Sequence, residues 1–214
     1  MELAGFFIWL VAVSVIFAVY GKIAERLGNS RHGSYYLLLL AGAGGGVAYL
    51  IALIVIFSML PYEFVLNIYI LAGSALAAII RLAVALFYVS KKKWLNRFQH
   101  ISVSVIIGLG FFIVEIYVNI IFMKSFALSS AMLYIPVNTL VSSIIGASTG
   151  KNGYQLARGG LAAVLVNCIC YYLIALLPLY KNSWFYLPIL TICILFCIIY
   201  TINIARKAFA ESVK

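Results

Sequence analysis

The sequence predicts an all-α polytopic membrane protein with seven transmembrane helices, an exoplasmic N-terminus and a cytosolic C-terminus. Three observations carry this. The chain is 66% hydrophobic with only 9% charged residues, and its mean hydropathy is +1.14. It divides into seven apolar runs of about twenty residues, the length that crosses a hydrocarbon core roughly 30 Å thick. Its basic residues collect at alternate run ends. The runs consume nearly all of the 214 residues, so residues 1–214 form a single transmembrane domain, and any partner or substrate is met inside the membrane or at its surface.

The first run, 3–21, follows Met1-Glu2 and precedes the cluster Lys22, Arg26 and Arg31. That charge order is inverted for a secretory signal, so the run is expected to be a retained helix. The second, 36–60, contains Gly42-xxx-Gly46. The third, 64–89, holds Gly73-xxx-Ala77 and Arg81. Gly108, Gly110 and Glu115 lie in the fourth, 99–122, and Asn138 and Ser142-xxx-Gly146 in the fifth, 126–148. The sixth, 157–178, carries Gly159, Gly160, Ala162, Ala163 and Asn167. Small residues four apart let helices approach closely in lipid, and here they are expected to pack the bundle against itself. The seventh, 184–205, has no such stripe and is expected to face lipid or a separate helix.

Orientation follows from the fifteen Lys and Arg. Lys22, Arg26, Arg31, Lys91, Lys92, Lys93, Arg97, Lys151, Arg158, Arg206, Lys207 and Lys214 fall on one face; only Lys124 and Lys181 fall on the other. The positive-inside rule makes the first face cytosolic. The net charge of +10 thus reflects topology and anionic lipid headgroups, not nucleic acid. The expected location is a eukaryotic endomembrane or plasma membrane, or a bacterial inner membrane. Cys168, Cys170, Cys193 and Cys197 lie within the last two runs, where a thiol packs as a small apolar group; no metal or cofactor is expected.

Polar side chains are costly inside a bilayer and mark buried contacts or functional sites. Four interrupt the runs: Arg81, Glu115, Asn138 and Asn167. Counted from the cytosolic ends, Arg81, Asn138 and Asn167 share one level, roughly 14 Å deep. Glu115 lies about 10 Å further out by the same rise, within reach of Arg81 only through a water or a residue such as Ser74. Two uses stay open: hydrogen-bonded stitching of the bundle, which is favoured, and a catalytic or substrate-contacting cluster. Catalytic options are thin. The chain has no Asp, its only histidines are His32 and His100 near cytosolic ends, and it has no H-E-x-x-H. Gly-Ala-Ser-Thr-Gly at 146–150 reads as a helix stop with no base nearby, and a site on Glu115 needs a second acid or base that the chain does not supply.

The order and spacing resemble the anterior-pharynx-defective subunit family, the seven-span scaffold of γ-secretase. The resemblance is carried by Gly108-Leu109-Gly110-Phe111, by Asn138-Thr139 where that family has His-Thr, by Arg81 with Lys91–Lys93, and by Asn167 followed by Pro178-Leu179-Tyr180, Ser183 and Leu187-Pro188-Ile189. It covers nearly the whole chain. Asparagine in place of both family histidines can hydrogen-bond but not titrate, and Phe112 and Ile116 interrupt the family's glycine zipper after Gly108. The glutamic and CAAX-type intramembrane proteases are similar in a second way: Phe111-xxx-Glu115 matches one motif in full, while Ala77-Ala78-Ile79-Ile80-Arg81 has lost both glutamates of the other. The resemblance implies a non-catalytic scaffold with partners similar to presenilin, nicastrin and the presenilin enhancer. A glutamic-type intramembrane protease homologue or pseudoenzyme of the CAAX-protease superfamily, and a membrane-embedded substrate-binding component of a small-molecule transporter, are the alternatives.

Overall fold

The computed structural model describes residues 11, 13–22, 33–59, 66–90, 95–123, 128–149, 151–175 and 186–212. Arg26, Arg31, His32, Lys91–Lys93, Lys124, Lys181, Lys214 and the Pro178–Tyr180 turn lie outside the described residues. Seven helices are described: α1 (Val13–Lys22), then α2 (Gly33–Met59), α3 (Leu66–Ser90), α4 (Arg97–Met123), α5 (Leu128–Thr149), α6 (Gly153–Ala175) and α7 (Tyr186–Ser212). Among the described residues, the stretches Tyr35–Ile56, Ile70–Val89, Arg97–Ile116, Gly153–Ile174 and Thr191–Ser212 are long and apolar enough to cross a membrane. The described residues are nearly all helical, and five of the helices are apolar enough for a membrane-embedded protein.

The helix α4 is the axis of the bundle. It packs against α2, α3, α5 and α7, and α1 joins it through Val13, which belongs to the same buried apolar cluster as Ile101, Val105 and Leu109. α6 closes the other side, on α5 and α3. The outer faces expose Leu37, Leu40, Ile51 and Ile54 on α2, Leu161, Leu165 and Ile169 on α6, and Ile192, Leu195 and Ile199 on α7. Apolar residues that would be a liability in water are here the lipid-facing surface.

Small residues set the α4 contacts. A Cβ on Gly42 would strike the carbonyl oxygen of Ile107, one on Gly110 that of Leu39, and one on Gly46 would come within 2.9 Å of Val114 Cβ. These three positions hold α2 against α4. On the α5 side, a Cβ on Gly108 would strike Ser142 Oγ, and one on Gly146 would meet the backbone of Ile101 and His100. Asn138, Ser142 and Gly146 are each four apart, so one stripe of α5 runs along α4. Phe112 does not separate these helices: it is buried and lies 6.4 Å from the Tyr134 ring, while Gly108 makes the close approach.

The basic ends converge. Arg97 pairs with Glu211, Ser212 Oγ accepts from the Phe98 amide at 3.2 Å, and Tyr20, just before Lys22, stacks on Phe98 at 6.3 Å. The ends of α1, α4 and α7 therefore meet at one face of the bundle, and His100 brings in the end of α5.

Candidate functional site: a polar crosslink at the centre of the bundle

Each of the four intramembrane polar residues is buried: Arg81 on α3, Glu115 on α4, Asn138 on α5 and Asn167 on α6. Three of them form one chain with a residue that the sequence reading passed over. Arg81 Nη1 donates to Asn138 Oδ1. Asn138 Nδ2 donates to the Tyr134 carbonyl at 3.0 Å and to the Tyr171 hydroxyl oxygen at 3.2 Å. Tyr171 in turn donates to Glu115 Oε2 at 3.0 Å. Four side chains from four helices are thus linked in series. Arg81 also stacks its guanidinium 4.7 Å from the centroid of the Phe111 ring, a cation–π contact strengthened by the absence of water.

This corrects the depth argument in one respect. Glu115 is not isolated, and its link to Arg81 runs through Asn138 and Tyr171, not through Ser74. The reason lies in helix register. Tyr171 and Glu115 both lie about eighteen residues from the basic starts of their helices, Gly153 and Arg97, so they share a depth. The long tyrosine side chain then spans the gap to Asn138. A signal was present in the sequence, since Tyr171 is one helical turn beyond Asn167 and on the same face.

Asn167 makes a separate link, one turn nearer the basic end. Its Nδ2 donates to the Ser74 carbonyl at 2.7 Å, and the neighbouring Cys168 thiol donates to the Leu71 carbonyl at 3.6 Å. The two accepting carbonyls are themselves one turn apart on α3. Ser74 contributes its backbone here, while its hydroxyl is turned back to Leu71 O at 3.0 Å. Within α5, Pro136 removes a backbone donor, and in the same turn Asn138 and Thr139 add side-chain donors to the Tyr134 and Ile135 carbonyls.

Some polar capacity in this layer is unused. Arg81 Nε, Arg81 Nη2 and Asn167 Oδ1 are buried without a hydrogen-bond partner among the described residues. Such orphans are expensive in an apolar medium. Among the described residues the other carboxylate, Glu211, is engaged with Arg97 at the basic face, and no cluster of three His, Cys, Asp or Glu side chains is placed to hold a metal.

The Gly146–Gly150 segment needs a second correction. A base does lie beside it: His100 Nδ1 is 3.2 Å from Thr149 Oγ1, and His100 Nε2 is 3.2 Å from the Leu95 carbonyl. A carbonyl only accepts, so Nε2 carries a proton. The Thr149 hydroxyl also reaches the Gly146 carbonyl at 2.9 Å. These contacts clasp the start of α4 to the end of α5. Comparisons of the chain with protein-family models, with curated proteins and with solved structures give no match.

Proposed function

We propose that this protein is a non-catalytic, seven-span scaffold that holds a partner membrane protein, in the manner of the γ-secretase assembly subunit that its sequence resembles. The observation that carries the reading is the series Arg81–Asn138–Tyr171–Glu115. It consumes the only intramembrane carboxylate among the described residues in an interhelical bond and fixes α3, α4, α5 and α6 to one another. A group serving as a general base needs access to a water or a substrate proton, whereas Glu115 is only 8% exposed and is held by Tyr171. The unused donors of Arg81 and the unused Asn167 oxygen suit the polar end of a partner chain entering between α3 and α6. In this reading the basic face is cytosolic and the N-terminus exoplasmic, in accord with the convergence of Arg97, Lys151 and the end of α7.

The test is to replace Asn138 and Asn167 together by Leu and to isolate the tagged chain in mild detergent with whatever it carries. A presenilin-like protease, with nicastrin-like and enhancer-like subunits, is expected with the native chain and not with the variant, while the variant remains monodisperse. Recovery of the intact complex at normal yield would remove the idea. If the purified chain alone cleaved a membrane substrate and Glu115→Gln abolished cleavage, the protease reading would replace it.

A further inference from the structure

α6 and α7 both pack on α5 but touch each other little, and near the basic face this leaves a cleft of about 350 Å³ between the three helices. Its mouth is polar, with Lys151, Gln155 and Arg158; its floor is apolar, with Ile144, Ala162 and Ile204. A second cavity of about 270 Å³, lined by Arg97, His100 and again Lys151, adjoins it.

The mouth is built by the fold. A Cβ on Gly159 would strike Ser148 Cβ, so α5 and α6 cross in close contact there. The chain then turns sharply, with the Lys151 amide on the Ser148 carbonyl at 3.1 Å and the Gln155 amide on Asn152 Oδ1 at 3.3 Å. Lys151, three residues after Ser148, and Arg158, the residue before Gly159, thus both line the cleft. Arg97 is paired with Glu211, but among the described residues no carboxylate lies within salt-bridge distance of Lys151 or Arg158. Two cations over an apolar slot, at the level where a membrane helix bundle meets headgroups, match an anionic amphiphile and no purely polar anion.

We propose that this cleft holds one anionic phospholipid, with its phosphate on Lys151 and Arg158 and an acyl chain along Ile144, Ala162 and Ile204. The site rests on the chain being embedded in a membrane and not on the scaffold reading. It would hold α6 and α7 apart at a fixed spacing and so fill a poorly packed helix junction of the basic face.

The test uses the full chain in neutral detergent, titrated with phosphatidylglycerol, with phosphatidylcholine and with inorganic phosphate, and counts bound lipid by native mass spectrometry. One phosphatidylglycerol is expected to be retained in preference to phosphatidylcholine. Lys151→Ala combined with Arg158→Ala is expected to weaken it roughly 30-fold. Ala162→Phe, which fills the floor, is expected to weaken it as well. Arg206→Ala with Lys207→Ala, at the same face but outside the cleft, leaves it unchanged. Thermal melting of each variant confirms that the bundle is intact. An equal loss in the Arg206 and Lys207 variant would reduce the effect to diffuse surface charge and overturn the proposal. So would displacement by millimolar phosphate together with an inert Ala162→Phe, which would point to a soluble phosphate compound. None of these readouts depends on co-purifying proteins, so the scaffold reading stands or falls separately.

Discussion

The Tyr171 hydroxyl donates to Glu115 Oε2 at 3.0 Å, while its oxygen also accepts from Asn138 Nδ2 at 3.2 Å. One phenol on α6 thus joins α4 to α5. Glu115 and Arg81 are coupled through it and Asn138, not by direct contact.

Replacing Tyr171 by Phe keeps the ring against Tyr134, now 4.8 Å from it between centroids, and removes only the bridge. The expected loss is about 1–3 kcal/mol, because the Glu115 oxygen is left buried without its donor. Glu115→Leu and Tyr171→Phe break the same link, so the double variant should lose less than the sum by about 0.5–1.5 kcal/mol. Detergent unfolding of the four proteins measures this. Strict additivity would mean that the bond contributes nothing.

Arg81 serves through shape as well as charge. Its guanidinium donates to Asn138 and lies over Phe111, and an ammonium reproduces neither the planar stacking nor the fork. Arg81→Lys is therefore expected to destabilise the bundle by about 1–2 kcal/mol through the lost stacking and donor geometry. Arg81→Met should cost more, about 2–4 kcal/mol, because it removes the charge-assisted bond to Asn138 as well as the stacking on Phe111. Glu115→Gln added to Arg81→Met should recover part of that loss. A lysine variant with the melting temperature of the native chain would refute this role.

Gly42 and Gly44 stand two residues apart on α2 and should respond oppositely to alanine. A Cβ on Gly42 points at the Ile107 backbone, whereas one on Gly44 meets open space. Gly42→Ala should destabilise by about 1–3 kcal/mol, since overpacking here must move a helix and not a side chain. Gly44→Ala should stabilise by about 0.5–1 kcal/mol through lower backbone entropy in the unfolded chain. Similar melting shifts in the two variants would contradict the α2–α4 packing.

The helices were legible because lipid imposes a long apolar length and a charge rule on every span; the runs 36–60, 64–89 and 99–122 fall within a few residues of α2, α3 and α4. The close contacts were legible in part. Glycine at 42, 46, 108, 110 and 146 marks where a helix can be approached, but not by which neighbour. Gly110 turned out to serve α2 while Gly108 serves α5.

For the polar site, sequence alone determined the cost: a guanidinium, a carboxylate and two amides placed within apolar runs must find partners whatever the packing. Only the tertiary structure decided which partners. Depth counting treats helices as parallel rulers and side chains as points, so it grouped Asn167 with Arg81 and set Glu115 apart. In the folded bundle the reach of one tyrosine outweighs a 10 Å difference in helix position, and Tyr171 could not be singled out among fifteen tyrosines until α6 was seen packed on α3 and α5 with this side chain reaching α4. The same holds at the basic face, where the sequence determined that Lys151 and Arg158 lie at the surface and the divergence of α6 from α7 decided that they stand over an apolar cleft.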